Sequence, residues 1–253
     1  MVAVVILTAG CKSQFEALVA GYDTMAKYDA AFEYFNAGKY TKASRLFESL
    51  SIISSGTMQD DTIQYYWGLS NYRDKDYYTA QTNFENFLTK FPRSPFAASA
   101  EYLNIDCLYK QTLRYELDQT PTYRALTAIN LFKAAHPDSP EVAACDAMSA
   151  DLEYRLDKKA YENARLYYRM EDYKASSVAF RNILKDDAEN IFREDILYHI
   201  AMSSYKYALN SVDSKKKERF LTFVDDYYNF IGEYPESKHR KELDNYFRKV
   251  KEN

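Results

Sequence analysis

Three stretches of the chain carry the same aromatic and small residues at the same spacings, and that shared register restricts the fold more than any other feature. Laid over one another, the segments from Tyr28 to Leu50, Tyr65 to Phe87 and Tyr161 to Ile183 align Tyr28 with Tyr65 and Tyr161. The small residues Ala31, Gly68 and Ala164 follow, then Phe35, Tyr72 and Tyr168. A second half aligns Tyr40, Tyr77 and Tyr173, then Ala43, Ala80 and Ser176, then Phe47, Phe84 and Phe180, and closes on Leu50, Phe87 and Ile183. Within each half the steps are three and four residues, the spacing of one face of an α-helix. Each segment therefore predicts two helices, with the turn at Gly38-Lys39-Tyr40, Lys75-Asp76-Tyr77 or Glu171-Asp172-Tyr173.

Paired helices whose small residues permit close approach and whose aromatics fill the space between them resemble the tetratricopeptide repeat. Two looser copies extend the pattern. One has Tyr102, Ile105 and Tyr109, then Ala125, Ile129 and Phe132 after the polar interruption at Asp118–Pro121. The other has Tyr198, Ala201 and Tyr205, then Phe223, Tyr227 and Phe230 after the charged insertion Asp213–Arg219. The expected fold is all-α, an α-solenoid of about five tetratricopeptide-like helix pairs over roughly residues 24 to 235, each hiding its apolar stripe against its neighbours. Three segments punctuate it: Phe91-Pro-Arg-Ser-Pro95, His136-Pro-Asp-Ser-Pro140 and Tyr234-Pro-Glu-Ser-Lys238. Proline cannot continue a helix, and the serine that follows can cap the next one by accepting a backbone N–H. Pro95 and Pro140 are then expected at the first helical position.

Composition agrees. Tyr accounts for 25 residues, whereas Gly and Pro number only 6 each, which suits long packed helices better than turn-rich β-architecture. The net charge of −4 argues against a general nucleic-acid binder, which would show a basic excess. Cys107 and Cys145 sit among apolar residues in helical patterns and read as buried small hydrophobes.

The start of the chain, Met1-Val-Ala-Val-Val-Ile-Leu-Thr-Ala-Gly-Cys11, is a short apolar run ending in small residues before a cysteine. A spanning helix needs about 20 apolar residues; a signal peptide has a shorter core and a small-residue cleavage site. Residues 1–10 read as a lipoprotein signal peptide, Cys11 as the lipid-attachment site, residues 11–23 as a short tether and residues 24–253 as the repeat domain. The alternative is a buried N-terminal segment with a chance cysteine.

Few residues of the chain are arranged for catalysis. His136, His199 and His239 are far apart in sequence and lack ligand-spaced partners, and no zinc-protease, phosphate-loop or nucleophile-elbow pattern occurs. The acidic pairs Asp60-Asp61, Asp186-Asp187 and Asp225-Asp226 read as solvated surface. No catalytic, cofactor or metal site is expected. A binding surface remains. Tyr28, Phe32 and Phe35, then Tyr65, Leu69 and Tyr72, then Tyr102 and Tyr109 recur on one helical face, and tyrosine suits a wet peptide groove because its apolar ring has a polar tip. The alternative for each ring is packing between helices. In the last helix Arg240 and Lys241 lead a basic run, Lys238 to Lys251, that reads either as a solvated face or as a docking site for an acidic partner.

A lipoprotein-type start, five such pairs and the repeated Pro-x-Ser punctuation together resemble the BamD family of outer-membrane assembly lipoproteins over nearly the whole chain. The resemblance implies an acylated Cys11 and a place on the periplasmic face of the outer membrane. It implies two kinds of protein partner, unfolded outer-membrane β-barrel proteins and the POTRA domains of a BamA-like barrel insertase. By position, the stripe from Tyr28 to Tyr109 is the client-facing candidate, and Tyr198, Phe223 and Tyr227 with Arg240 and Lys241 are the docking candidates. A periplasmic adaptor for cell-envelope enzymes, like the Tol-system coordinators, is the rival reading.

Overall fold

The computed structural model describes residues 14–252; the readings of residues 1–10 and of Cys11 lie outside the described residues. Twelve helices and no strand occur among the described residues. Residues 14–20 are helical and form α1. Five pairs follow: α2 (Thr24–Asn36) with α3 (Tyr40–Ile53), α4 (Asp60–Arg73) with α5 (Tyr77–Lys90), α6 (Ala97–Lys110) with α7 (Thr120–Ala135), α8 (Val142–Arg169) with α9 (Tyr173–Asp186), and α10 (Arg193–Leu209) with α11 (Asp213–Glu233). Helix α12 (Arg240–Lys251) closes the chain. This is the all-α, tetratricopeptide-like α-solenoid class. The chain divides into two compact units: the described residues through Leu113 with Asp118–Ser149, and Arg114–Leu117 with the described residues from Ala150 onward.

The register read from the sequence recurs as geometry. The pairs Phe35–Tyr40, Tyr72–Tyr77 and Tyr168–Tyr173 meet edge-on at 5.5, 5.7 and 5.5 Å with interplanar angles of 68°, 65° and 68°. The three turns are one structure as well. Gly38, Lys75 and Glu171 hold φ of 71°, 66° and 62°, the left-handed conformation that ends a helix. The following N–H then returns to the first helix: Lys39 N to Tyr34 O at 2.8 Å, Asp76 N to Asn71 O at 3.0 Å and Asp172 N to Tyr167 O at 3.0 Å. Only the first turn uses glycine, the residue without a side-chain penalty there. Asp76 and Asp172 cap the second helix through Thr79 N at 3.1 Å and Ala175 N at 3.0 Å; Lys39 makes no side-chain cap.

The punctuation differs in detail from expectation. Helices α6 and α8 begin at Ala97 and Val142, so Pro95 and Pro140 lie in the preceding turn, not at the first helical position. The turn is closed by Ala97 N to Ser94 O at 3.0 Å and Val142 N to Ser139 O at 3.1 Å, and Arg240 N to Ser237 O repeats it at 3.1 Å. The serines do not cap the helices that follow, whose N-cap positions in α6 and α12 are Phe96 and His239. Each instead accepts the backbone N–H two residues on, within the turn, from Phe96 N at 3.3 Å, Glu141 N at 3.4 Å and His239 N at 3.0 Å. Two of these hydroxyls also donate to the first turn of the pair before, Ser94 to Asp61 Oδ2 at 2.8 Å and Ser237 to Glu194 Oε1 at 2.6 Å. In the third, Ser139 instead donates to Glu141 of its own turn, and the link to the pair before is made by His136 Nε2 with Glu101 Oε2 at 2.7 Å.

Two further differences concern boundaries. Helix α8 has 28 residues and begins well before Tyr161, because neither Gly nor Pro interrupts residues 141–170. The charged insertion Asp213–Arg219 is not a loop but the opening turns of α11. Its Lys, Glu and Arg are good helix formers, and Lys216 pairs with Asp213 at 2.9 Å.

Each unit has its own core. In the first, Phe47, Leu46, Leu50 and Phe84 are 0% exposed; in the second, Phe180, Ile196, Phe223 and Phe230 are. Cys107 and Cys145 are buried and free. Burial pushes the Cys107 thiol up to about 12, which keeps it an unreactive thiol.

Candidate functional site

In the first unit the aromatic stripe lies along the seam between successive pairs. Small side chains make room beside it: Ala31 and Ala100 are 0% exposed and Gly68 faces Phe84 within its own pair, and the large rings fill what remains. Phe32 meets Phe47 at 5.1 Å and Tyr66 at 4.7 Å, while Phe35 meets Tyr66 at 5.2 Å. Tyr28 leans on Phe32 at 4.9 Å. Tyr66 therefore ties the first pair to the second. It was not legible as a site residue, since Asp29 and Glu162 occupy its position in the aligned segments.

Tyr65, expected to line the groove, is only 7% exposed. Its ring stacks on Phe96 at 4.5 Å and its hydroxyl meets Ser99 Oγ at 2.8 Å. Tyr161, at the aligned position, repeats the stack on Phe192 at 5.1 Å, so packing accounts for the tyrosine in these two pairs. Tyr72 donates to Asp106 Oδ2 at 2.6 Å, and burial together with that carboxylate raises its phenol well above the usual range. Tyr28, Phe32, Phe35, Leu69, Tyr72, Tyr102 and Tyr109 remain half-buried, with part of each side chain open to solvent. Beneath them a polar ladder crosses the core, from Ser44 Oγ to Asn71 Oδ1 at 2.5 Å and from Asn71 Nδ2 to Asn83 Oδ1 at 2.7 Å. A satisfied buried ladder of this kind favours one arrangement of the three helices over alternatives.

In the second unit the docking candidates divide. Phe223 is 0% exposed and Tyr227 6% exposed, so Phe223 offers nothing to a partner while the helices stay packed. Tyr227 stacks on Phe247 at 4.1 Å and donates to Asp244 Oδ1 at 2.7 Å. Burial, then that carboxylate, pushes its phenol up to about 12. Tyr198 is half-buried, stacks on His239 at 4.0 Å and donates to Glu242 Oε2 at 2.9 Å. The two tyrosines thus hold α12 by its acidic residues, while Leu243 and Phe247 are buried beneath it. Arg240, Lys241, Arg248, Lys249 and Lys251 are exposed. Helix α12 is amphipathic in charge as well as in polarity, and the cations face outward.

Beside this joint Asp195 accepts from His239 Nε2 at 2.9 Å. Burial opposes its ionisation, but His239 and Lys238 prevail and hold its pKa below the ordinary value. His199, 9% exposed, donates Nδ1–H to Asp195 O at 2.7 Å, since a carbonyl can only accept. The rings of Tyr161, Tyr168, Phe180 and Tyr198 surround it at 5.1 to 5.7 Å, and its burial lowers its pKa. Among the described residues no group of three or more His, Cys, Asp or Glu is placed to hold a metal ion. No described helix is long and apolar enough to cross a membrane.

Comparison with known proteins adds two findings. The model of the family YfiO, described as an outer membrane lipoprotein, matches residues 21–221. A protein of Aquifex aeolicus (strain VF5), provisionally named outer membrane protein assembly factor BamD, is 25% identical over 247 residues, covering 95% of this chain and 78% of its own length.

Proposed function

Because the chain belongs to the YfiO family of outer membrane lipoproteins, we propose that it serves outer membrane protein assembly as a lipid-anchored scaffold. The family match over residues 21–221 carries this reading, and the name of the Aquifex relative supports it. On this reading Cys11 bears the acyl chains and keeps the protein on the periplasmic side of the outer membrane. One chain gives only marginal binding, and two or more anchor stably.

The open edges of Tyr28, Phe32, Phe35, Leu69, Tyr72, Tyr102 and Tyr109 receive aromatic or apolar anchors of an unfolded β-barrel protein, with Tyr65 supporting them from within. Flat rings with polar tips contribute contact area at low cost in side-chain freedom. Arg240 and Lys241 meet the POTRA domains of a BamA-like insertase, and charge complementarity there orients association. Tyr198, Phe223 and Tyr227 serve that contact indirectly, by holding α12 in place. The chain holds other polypeptides and carries out no covalent step.

Photo-crosslinking in living cells tests the reading. A crosslinker at position 32 or 102 is expected to trap unassembled barrel proteins, and one at position 241 a POTRA-bearing protein. Crosslinks from all three to soluble cell-wall enzymes alone would favour the Tol-type adaptor.

A further inference from the structure

A slot of about 590 Å³ opens in the second unit between α10, α11 and α12. Leu209, Phe220, Leu221, Val224 and Val250 form its walls, and Leu209 and Leu221 are 47% and 59% exposed. Its rim carries Lys216, Lys217 and Lys249 with one carboxylate, Asp213, which pairs with Lys216 at 2.9 Å. The lysines come from the opening turns of α11 and the end of α12, the two most cation-rich stretches of the chain. Exposed Lys215, Arg248 and Lys251 flank them. Val250 and Lys249 lie beyond the residues that the family match covers.

Apolar walls under a cationic rim suit an anionic amphiphile. The volume lies within the range of about 300–1,000 Å³ typical of small-ligand pockets, whereas a stable protein contact covers about 800 Å² on each partner. Apart from the Tyr205 hydroxyl, the lysines and Asp213, the lining side chains carry no hydrogen-bonding group. An extended peptide laid there would leave main-chain groups unpaired, at a cost in free energy; an acyl chain has none to satisfy. Clusters of four to eight Lys and Arg on amphipathic helices are attracted to anionic lipid surfaces.

We propose that this slot binds an anionic phospholipid of the bilayer, its acyl chain against Leu221 and Val224 and its phosphate on Lys216, Lys217 and Lys249. The C-terminal helices then touch the membrane surface independently of any lipid at Cys11 and of the assembly role.

Vesicle co-sedimentation of the full chain carrying Cys11→Ala tests this. Vesicles of phosphatidylcholine with phosphatidylglycerol are expected to bind the protein, and phosphatidylcholine alone far less. Joint substitution of Lys216→Gln, Lys217→Gln and Lys249→Gln should weaken binding about tenfold or more. Leu221→Asn should weaken it several-fold, and Lys174→Gln on α9 should leave it unchanged. Lys217, Lys249, Leu221 and Lys174 are exposed and Lys216 is half-buried, and equal thermal melting checks that the fold is kept. Equal binding to both vesicle types, or no effect of the lysine substitutions, would overturn the proposal. So would an unaffected Leu221→Asn, which would mean surface attraction without the slot. Variants that bind vesicles normally but lose a protein partner from envelope extracts would assign the slot to a protein instead.

Discussion

Gly68 and Phe84 leave no space between them for a single carbon: a Cβ on Gly68 would stand 2.9 Å from Phe84 Cε1 and 3.1 Å from Cδ1. Asn83 Cβ would close the other side at 3.3 Å. Helices α4 and α5 approach this closely because the second pair puts glycine where the first and fourth put alanine. Gly68→Ala is therefore expected to destabilise the first unit by about 1–3 kcal/mol through overpacking, and Phe84→Ala by about 3–5 kcal/mol through a cavity. Urea denaturation measures both, and a Gly68→Ala variant at least as stable as the parent would refute the close approach.

The first turn lacks a cap that its two counterparts have. Lys39→Asp is expected to add the bond that Asp76 and Asp172 make, stabilising α3 by about 0.5–2 kcal/mol. Thermal melting is the check, and a lower melting temperature would mean that Lys39 serves its packing against Tyr34, 5.8 Å away, more than the missing cap costs.

Ser94 joins three things: the turn before α6, the Phe96 N–H and the Asp61 carboxylate. Ser94→Ala should cost about 1–3 kcal/mol, the loss of a turn hydrogen bond plus one to a charged group. A double-mutant cycle with Asp61→Asn separates the two, since only the second depends on Asp61. Strictly additive losses would show that the serine holds its own turn and does not latch it to α4.

Acid should weaken the second unit through His199. Its folded pKa lies below the reference value of 6.5, so the unfolded chain binds this proton more readily. Stability is then full above about pH 6.5 and falls as pH drops through that value toward the folded pKa, by at most about 1.4 kcal/mol per pH unit. Below the folded pKa the loss levels off. His199→Asn retains a donor near Asp195 O and should flatten the dependence between pH 7.5 and 5. An unchanged slope would place the titration elsewhere.

Much of the fold was legible because repetition is visible without coordinates. Tyr28, Tyr65 and Tyr161, with the glycine and alanines three residues on, place three helix pairs by spacing alone. The lining of the site was harder to read, for the same reason. Recurrence does not tell packing from lining: the aligned Tyr65 and the core-spaced Phe223 and Tyr227 proved to be interior residues, whereas the aligned Tyr28 and Tyr72 are half-buried. Tyr66 escaped notice since nothing repeats it. The extent of α8 could have been read from the lack of Gly and Pro across residues 141–170. The hydroxyls of Tyr198 and Tyr227 on Glu242 and Asp244 could not, because no spacing rule links a side chain to a carboxylate 44 or 17 residues away.

Purification of the protein from detergent-solubilised envelopes, with identification of what accompanies it, tests the scaffold role most directly. A POTRA-bearing barrel protein should co-purify in stoichiometric amount, and should be lost when Arg240 and Lys241 are both changed to Glu. Recovery of soluble cell-wall enzymes with no barrel protein, from a preparation that retains its lipid, would contradict it.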